Sequence, residues 1–421
     1  MSRLPNGESD FKKIRSEHFA YIDKTRYIEL IERDSRFLQL MRPRRFGKSL
    51  FVSMLSYYYD IYAKEEFNSL FQGTYIYEHP TARKNRYLML NFDFFGLRTD
   101  TLSSFKVDFR ECIIDTLSYF LSKYKVVMSL EKKLDTERML SSFFHHLKDH
   151  VKYPIYVTID EADHLMNDIF LSNYKEKKKI QSIKDYVRKF YEALKMGTGN
   201  GVIDRIFITG VSPITLDSMT SGFNISMNLS LDSRYNEIMG FTNEETEKLI
   251  YMVNGVENEN DTLKEMKQYY DGYLFSKDGS QHMFHPNMVL YYLDNIQKNG
   301  CAPSDIIDKN IFSDYKNLEN LIYLSKRQDQ SEQVQRLLDG EQPDVILTEV
   351  FQMDSHFTAD DFYSLLFYLG YLTIAEGDEF GQAMKIPNLA IQKIFISYFR
   401  NSRKRQWIQK KSISIKLQDK S

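Results

Sequence analysis

Phe37-Leu38-Gln39-Leu40-Met41-Arg42-Pro43-Arg44-Arg45-Phe46-Gly47-Lys48-Ser49 decides the reading of this chain. It reads as a short apolar strand, a basic turn and the start of an amphipathic helix. In that order a helix N-terminus aims unsatisfied N–H groups and a positive dipole end at an anion. Gly47 lets the backbone approach phosphates, Lys48 can reach β and γ oxygens, and the Ser49 hydroxyl can ligate Mg²⁺. The customary loop carries Gly where Arg42 stands. Pro43 fixes φ and stiffens the turn. Arg42, Arg44 and Arg45 either concentrate positive charge beside a triphosphate or form a solvated basic turn. A bare Gly-Lys-Ser is common by chance, but the flanking strand and helix favour nucleotide over an ordinary turn. Arg42 to Ser49, Phe46 included, is therefore the expected nucleotide-binding loop.

An NTPase also needs a carboxylate for Mg²⁺ and a group to orient water. Ile155-Tyr156-Val157-Thr158-Ile159-Asp160-Glu161 supplies both. Its β-branched run reads as a strand buried on both faces. Asp160 closes that strand, where ligands bind in open α/β sheets, and Glu161 is the candidate to polarise water. Alone, Asp-Glu after a strand is an unremarkable loop entry; with the upstream loop it becomes a joint signal. Arg205-Ile206-Phe207-Ile208-Thr209-Gly210-Val211-Ser212-Pro213 is a further strand ending in hydroxyl residues. Either Thr209 or Ser212 is placed to sense a γ-phosphate; a plain Ser-Pro turn is the competing reading.

With 421 residues, two domains are expected. Hydrophobic residues make up 42% and charged residues 27%, as in a soluble globular protein. The net charge of −2 gives no global nucleic-acid signature. Cys112 and Cys301 have no metal-ligand spacing and read as reduced core thiols. No apolar run approaches about 18 residues and no secretory signal opens the chain, so no membrane span and a cytoplasmic location are expected.

Strands are expected at 37–41, 87–92, 155–160, 205–210 and 238–241, alternating with helices at about 48–62, 101–125, 131–150 and 179–197. Residues 10–35 read as helix, turn, helix, with Asp23 or Thr25 as a cap. The polar stretch at about 212–235 reads as a long functional loop, with Arg234 more a surface residue than a phosphate ligand. This is an α/β fold: a P-loop NTPase with a five-stranded, mainly parallel sheet. Thr242-Asn243-Glu244-Glu245 reads as a capping box opening a second, mainly helical domain. Its helices are expected at 244–254, 260–271, 286–297, 316–325, 358–369 and 389–399. The division expected is 1–242, 243–399, and a basic tail over 400–421 with eight Lys/Arg and one Asp.

Tyr21-Ile22-Asp23-Lys24-Thr25, the loop Met41 to Ser49, Ile159-Asp160-Glu161 and Ile208 to Pro213 together resemble the AAA-ATPase-like family of bacterial predicted ATPases. Gly240-Phe241-Thr242, Tyr270-Asp271-Gly272-Tyr273 and His285-Pro286-Asn287 fit the same pattern, so the resemblance runs from about residue 3 to 397. It makes Arg42 a family trait and implies ATP with Mg²⁺. Members often carry a C-terminal PD-(D/E)XK nuclease. Here Glu-x-Lys occurs only at Glu131–Lys133, Glu176–Lys178 and Glu265–Lys267, none closing an apolar strand, and after Asn388 the chain runs only to Ser421. A member lacking its nuclease is the expectation.

The resulting expectation is an ATP-binding protein of the additional-strand, catalytic-glutamate class. Lys48 would bind phosphates, Ser49 and Asp160 would hold Mg²⁺, Glu161 would orient water, and Thr209 or Ser212 would sense the γ-phosphate. Three alternatives stay open: a nucleotide-gated switch binding a protein partner through the helical domain, a DNA-associated ATPase, or an inactive remnant. The residues alone do not separate ATP from GTP.

Overall fold

In the computed structural model, residues 3–98, 101–163, 177–213, 225–253, 255–309, 331–351, 357–377 and 381–397 are described. The first part of the chain runs α1 (Phe11–Ser16), α2 (Arg26–Arg33), β1 (Phe37–Met41), α3 (Lys48–Tyr59), and the short α4 (Phe67–Phe71) and α5 (Tyr75–Glu78). It continues as β2 (Leu88–Asp93), α6 (Leu102–Tyr124), α7 (Thr136–His150), β3 (Ile155–Asp160), α8 (Lys177–Gly199), β4 (Ile203–Gly210) and β5 (Met227–Asn228). The five strands pair in the order β2-β3-β4-β1-β5, and every pairing is parallel. Strand β4 thus stands between β1 and β3. The C-terminal ends of all three open at one edge of the sheet, where ligands bind in such folds.

The sequence dictates this layout through burial. All six residues of β3 are buried, as expected of a parallel strand covered on both faces. Helix α6 presents Phe105, Phe109, Ile113, Leu117 and Phe120 at helical spacing, all buried. Arg205 lies inside β4, yet its guanidinium donates to the Ile31 and Glu32 carbonyls at 3.1 and 2.9 Å. It thereby satisfies acceptors that α2 leaves open at its C-terminus.

The fifth strand is not where the apolar pattern placed it. Ile238 to Phe241 stays outside the sheet, and Phe241 instead forms an antiparallel bridge with Phe284. The strand beside β1 is Met227–Asn228, inside the polar stretch read as a loop. Two residues without a β-branched run leave no periodic signal. Residues 238–241 are apolar because Ile238 and Met239 are buried and the segment lines the central cavity.

The C-terminal part holds α9 (Asn243–Met252), α10 (Glu259–Tyr270), α11 (Pro286–Asn299), α12 (Ser331–Leu338), β6 (Asp344–Val345), α13 (Ala359–Tyr368), β7 (Thr373–Gly377) and β8 (Gln382–Lys385), then a helix at 389–397. The capping box at α9 forms as read: Thr242 and Glu245 exchange bonds at 3.2 and 2.8 Å. The sequence reading missed the antiparallel sheet β6-β8-β7. The helix expected at 316–325 and the basic tail lie outside the described residues. Cys301 is exposed, so it is not a core thiol. No helix among the described residues is long and apolar enough to cross a membrane.

Candidate functional site

Gly47 caps α3 with φ +97°, a left-handed conformation that a side chain would strain. A glycine brings no side-chain oxygen, so nothing on the cap residue satisfies the first-turn N–H groups. Those donors sit beside Ser49, which lines the cavity next to the loop. Arg45 shares the left-handed conformation at φ +62°. The Lys48 ammonium donates to the Arg42 and Pro43 carbonyls, 3.1 Å each, and lies 3.9 Å from Glu161 Oε1. The loop therefore curls around its own lysine, with a carboxylate from the end of β3 facing it.

Asp160 is buried at the end of β3. Its Oδ1 accepts the Thr209 hydroxyl at 2.5 Å and the Glu161 N–H at 3.0 Å. Asp160 and Thr209 thus meet across adjacent strand ends. Glu161 follows in a left-handed conformation, φ 51°. Burial pushes its carboxyl above the usual range, and Asp163 and Asp160 push the same way, against Lys48 and Arg44. No cluster of three or more His, Cys, Asp or Glu able to hold a metal occurs among the described residues.

Not every candidate comes together there. The Arg42 guanidinium is turned inward, with the residue 1% exposed. It donates to the Met41, Ser230 and Tyr235 carbonyls at 2.8, 2.9 and 2.8 Å, and stacks 4.2 Å from the Phe275 ring centroid. Its side chain is a buried brace of the loop and adds no charge at the cavity; only its backbone carbonyl faces Lys48. Phe46 is also buried, its ring held by Tyr273, Phe275 and His285 at 5.1, 5.4 and 4.9 Å. Pro43 packs against Gly370. Arg44 stays half-buried near Glu161, and exposed Arg45 donates to Asn287 Oδ1 at 3.2 Å. Arg234 engages Asp232 and Asp34. Of the two candidate caps, Asp23 accepts the Thr25 N–H, while the Thr25 hydroxyl accepts from Ile76.

Ser212 sits beyond Thr209 on a turn that Asp163 holds. Asp163 accepts the Val211 and Ser212 N–H groups at 2.8 and 2.6 Å. Sequence reading passed over Asp163, although an Asp three residues after Asp160 was the available signal. A Cβ at Gly210 would fall 2.4 Å from Asp163 Oδ1, so only glycine admits this carboxylate. Gly210→Ala is expected to cost about 1–3 kcal/mol by overpacking. A thermal midpoint equal to wild type would show that Asp163 does not need that space.

Beside the loop lies a cavity of about 340 Å³. Its walls come from the N-terminal segment (Ile14, Ile22), from α3 (Met54) and from the C-terminal part (Leu249, Leu290). Lys24 also lines it, bridged to Glu245 at 2.7 Å. Loop, strand-end carboxylates and adjoining apolar cavity lie together at one sheet edge.

The parallel sheet and this edge define a P-loop, AAA-like α/β protein. A family model described as predicted AAA-ATPase matches residues 5–220, and the chain belongs to that family. It is also 26% identical over 275 residues to an uncharacterized protein in the vnfD 5′ region of Azotobacter chroococcum mcd 1. The match covers 64% of this chain and 48% of that protein, so the chain spans about half the length of that relative.

Proposed function

We propose that this protein binds ATP with Mg²⁺ and hydrolyses it. The observation that carries the reading is the meeting of Asp160, Thr209, Glu161 and Lys48 beside a glycine-capped helix N-terminus. Lys48 would leave the loop carbonyls for β and γ oxygens, assisted by the α3 N–H groups. Ser49 and Asp160 would hold a Mg²⁺ ion, which would neutralise charge developing on the phosphates. Glu161, partly buried and with its carboxyl raised, would orient water and take its proton. Thr209 would report on the γ-phosphate through Asp160, and Ser212 stands one turn further off. The apolar cavity has room for the nucleoside. Arg44 and Arg45 remain the cations available to phosphate.

The division at 242/243 belongs to this proposal, with the capping box at Thr242 opening the C-terminal unit. A switch reading has its own support, because Phe46 of the loop is gripped by C-terminal aromatics. Nothing in the charge balance favours a nucleic-acid partner.

Calorimetric titration with ATP·Mg²⁺ and a phosphate-release assay test the reading, with Lys48→Ala alongside. Wild type is expected to bind and turn over, and Lys48→Ala to lose at least tenfold in affinity. Binding without turnover would favour the switch. Failure of the wild type to bind any nucleotide would end the proposal.

A further inference from the structure

His285 belongs to none of the groups assigned above, yet it stands against the loop. It is 1% exposed and forms the N-cap of α11, its Nδ1 accepting the Met288 N–H at 3.4 Å. That bond leaves the ring proton on Nε2. The ring packs edge-on to Phe46 at 4.9 Å, and the Arg44 backbone lies beside it. Two residues on, Asn287 accepts from Arg45 and also reaches Asn6 at 3.3 Å. The first turn of α11 therefore touches three consecutive loop residues, Arg44, Arg45 and Phe46, just before Gly47.

We propose that His285 is a positioning residue for the phosphate-binding loop: it fixes Phe46 and the Arg44–Arg45 turn so that the α3 N–H groups are aimed before nucleotide arrives. The physical case is preorganisation. Arg45 and Gly47 both occupy left-handed conformations, and such a turn persists only when its surroundings over-determine it. Without an anchor, part of the binding energy would go into ordering the loop. A neutral ring suits the task, because a cation there would compete with Lys48 and Arg45. Burial, with Arg45 adding to it, holds the imidazole down to about 3, so it stays uncharged at neutral pH. The anchor sits on a helix of the C-terminal part. Displacement of α11 would consequently loosen the loop.

This inference rests on the loop being the nucleotide site, so its test has two independent readouts. In the full chain, His285→Asn keeps an N-cap acceptor for α11 but removes the ring from Phe46 and the Nε2 proton. Amide hydrogen exchange is followed in peptides covering 42–50 and 286–299, and ATP·Mg²⁺ affinity by calorimetry. The expected result is at least tenfold faster exchange in 42–50, near-wild-type exchange in 286–299, and about tenfold weaker ATP binding. His285→Phe, which restores a ring against Phe46, is expected to recover part of the affinity. Unchanged exchange in 42–50 would overturn the proposal. So would equal loosening of 286–299, which marks a helix cap and nothing more. If the wild type binds no ATP, the nucleotide reading fails, while the exchange comparison still decides the role of His285.

Discussion

Glu161→Gln is expected to hold ATP·Mg²⁺ as wild type does and to lose turnover by about a hundredfold or more, the range general-base removal produces. The amide keeps size and shape, so the left-handed backbone at Glu161 and its N–H bond to Asp160 survive. Only the basic carboxylate goes. Stability should move the other way. Burial raises this carboxyl above 4.5, so desolvation and the two aspartates outweigh Lys48 and Arg44. The folded state therefore binds the proton more tightly than the unfolded chain does. Stability from this group is full below about pH 4.5 and is lost as pH rises through the raised value. A neutral amide carries no such loss. Melting curves should show Glu161→Gln gaining on wild type as pH rises above about 4.5. Full turnover in the variant would remove Glu161 from its assigned role. A fall in thermal midpoint with rising pH that matched wild type would show that the carboxylate is not held at a disadvantage. An active site commonly keeps such a destabilised group because its chemistry needs it.

The parts legible in the sequence are those whose cause is local. Strands β1, β3 and β4 announce themselves by apolar runs, and β1 and β3 are found at the residues read. Gly47 and Asp160 could be found because a turn and a strand end impose residue type at fixed offsets. Two-residue β5 could not, since Met227–Asn228 joins the sheet only because β1 offers its edge. The same holds for the histidine cap of α11. His285-Pro286-Asn287 was visible as a pattern, but its meaning depends on Phe46, which lies far back in the chain and arrives only with tertiary packing. Asp163 hides likewise, because its partners Val211 and Ser212 lie on the turn that follows β4, far along the chain. The placement of the Arg42 side chain is hidden for a related reason. A basic residue in a phosphate loop suggests an anion, yet two of the three carbonyls that claim its guanidinium come from Ser230 and Tyr235.

Arg42→Gly is the sharpest consequence of that placement, because it restores the customary glycine and is nonetheless expected to damage the protein. The carbonyls of Met41 and Ser230 would lose the guanidinium as donor inside a site closed to water, while that of Tyr235 would keep only the Ile238 N–H at 3.2 Å. A buried acceptor left without a partner costs about 1–3 kcal/mol. Loss of the guanidinium from the Phe275 ring adds about 1–2 kcal/mol in a desolvated setting, and the vacated volume adds a cavity. Even with strong non-additivity, a loss of at least about 4 kcal/mol is expected, the range reserved for broken buried networks. That corresponds to a drop in thermal midpoint on the order of 10 °C for a large domain. Nucleotide binding should fall with it, since the loop that the guanidinium braces would no longer be fixed. Arg42→Lys separates charge from geometry: one ammonium cannot serve three carbonyls in the planar arrangement a guanidinium allows, so most of the loss should persist. Burial draws the arginine down to about 9. A stable, ATP-binding Arg42→Gly protein would refute the brace and return the arginine to the phosphates. A melted one would mean that arginine at this loop position serves the fold, with Lys48, Arg44 and Arg45 left to meet the anion.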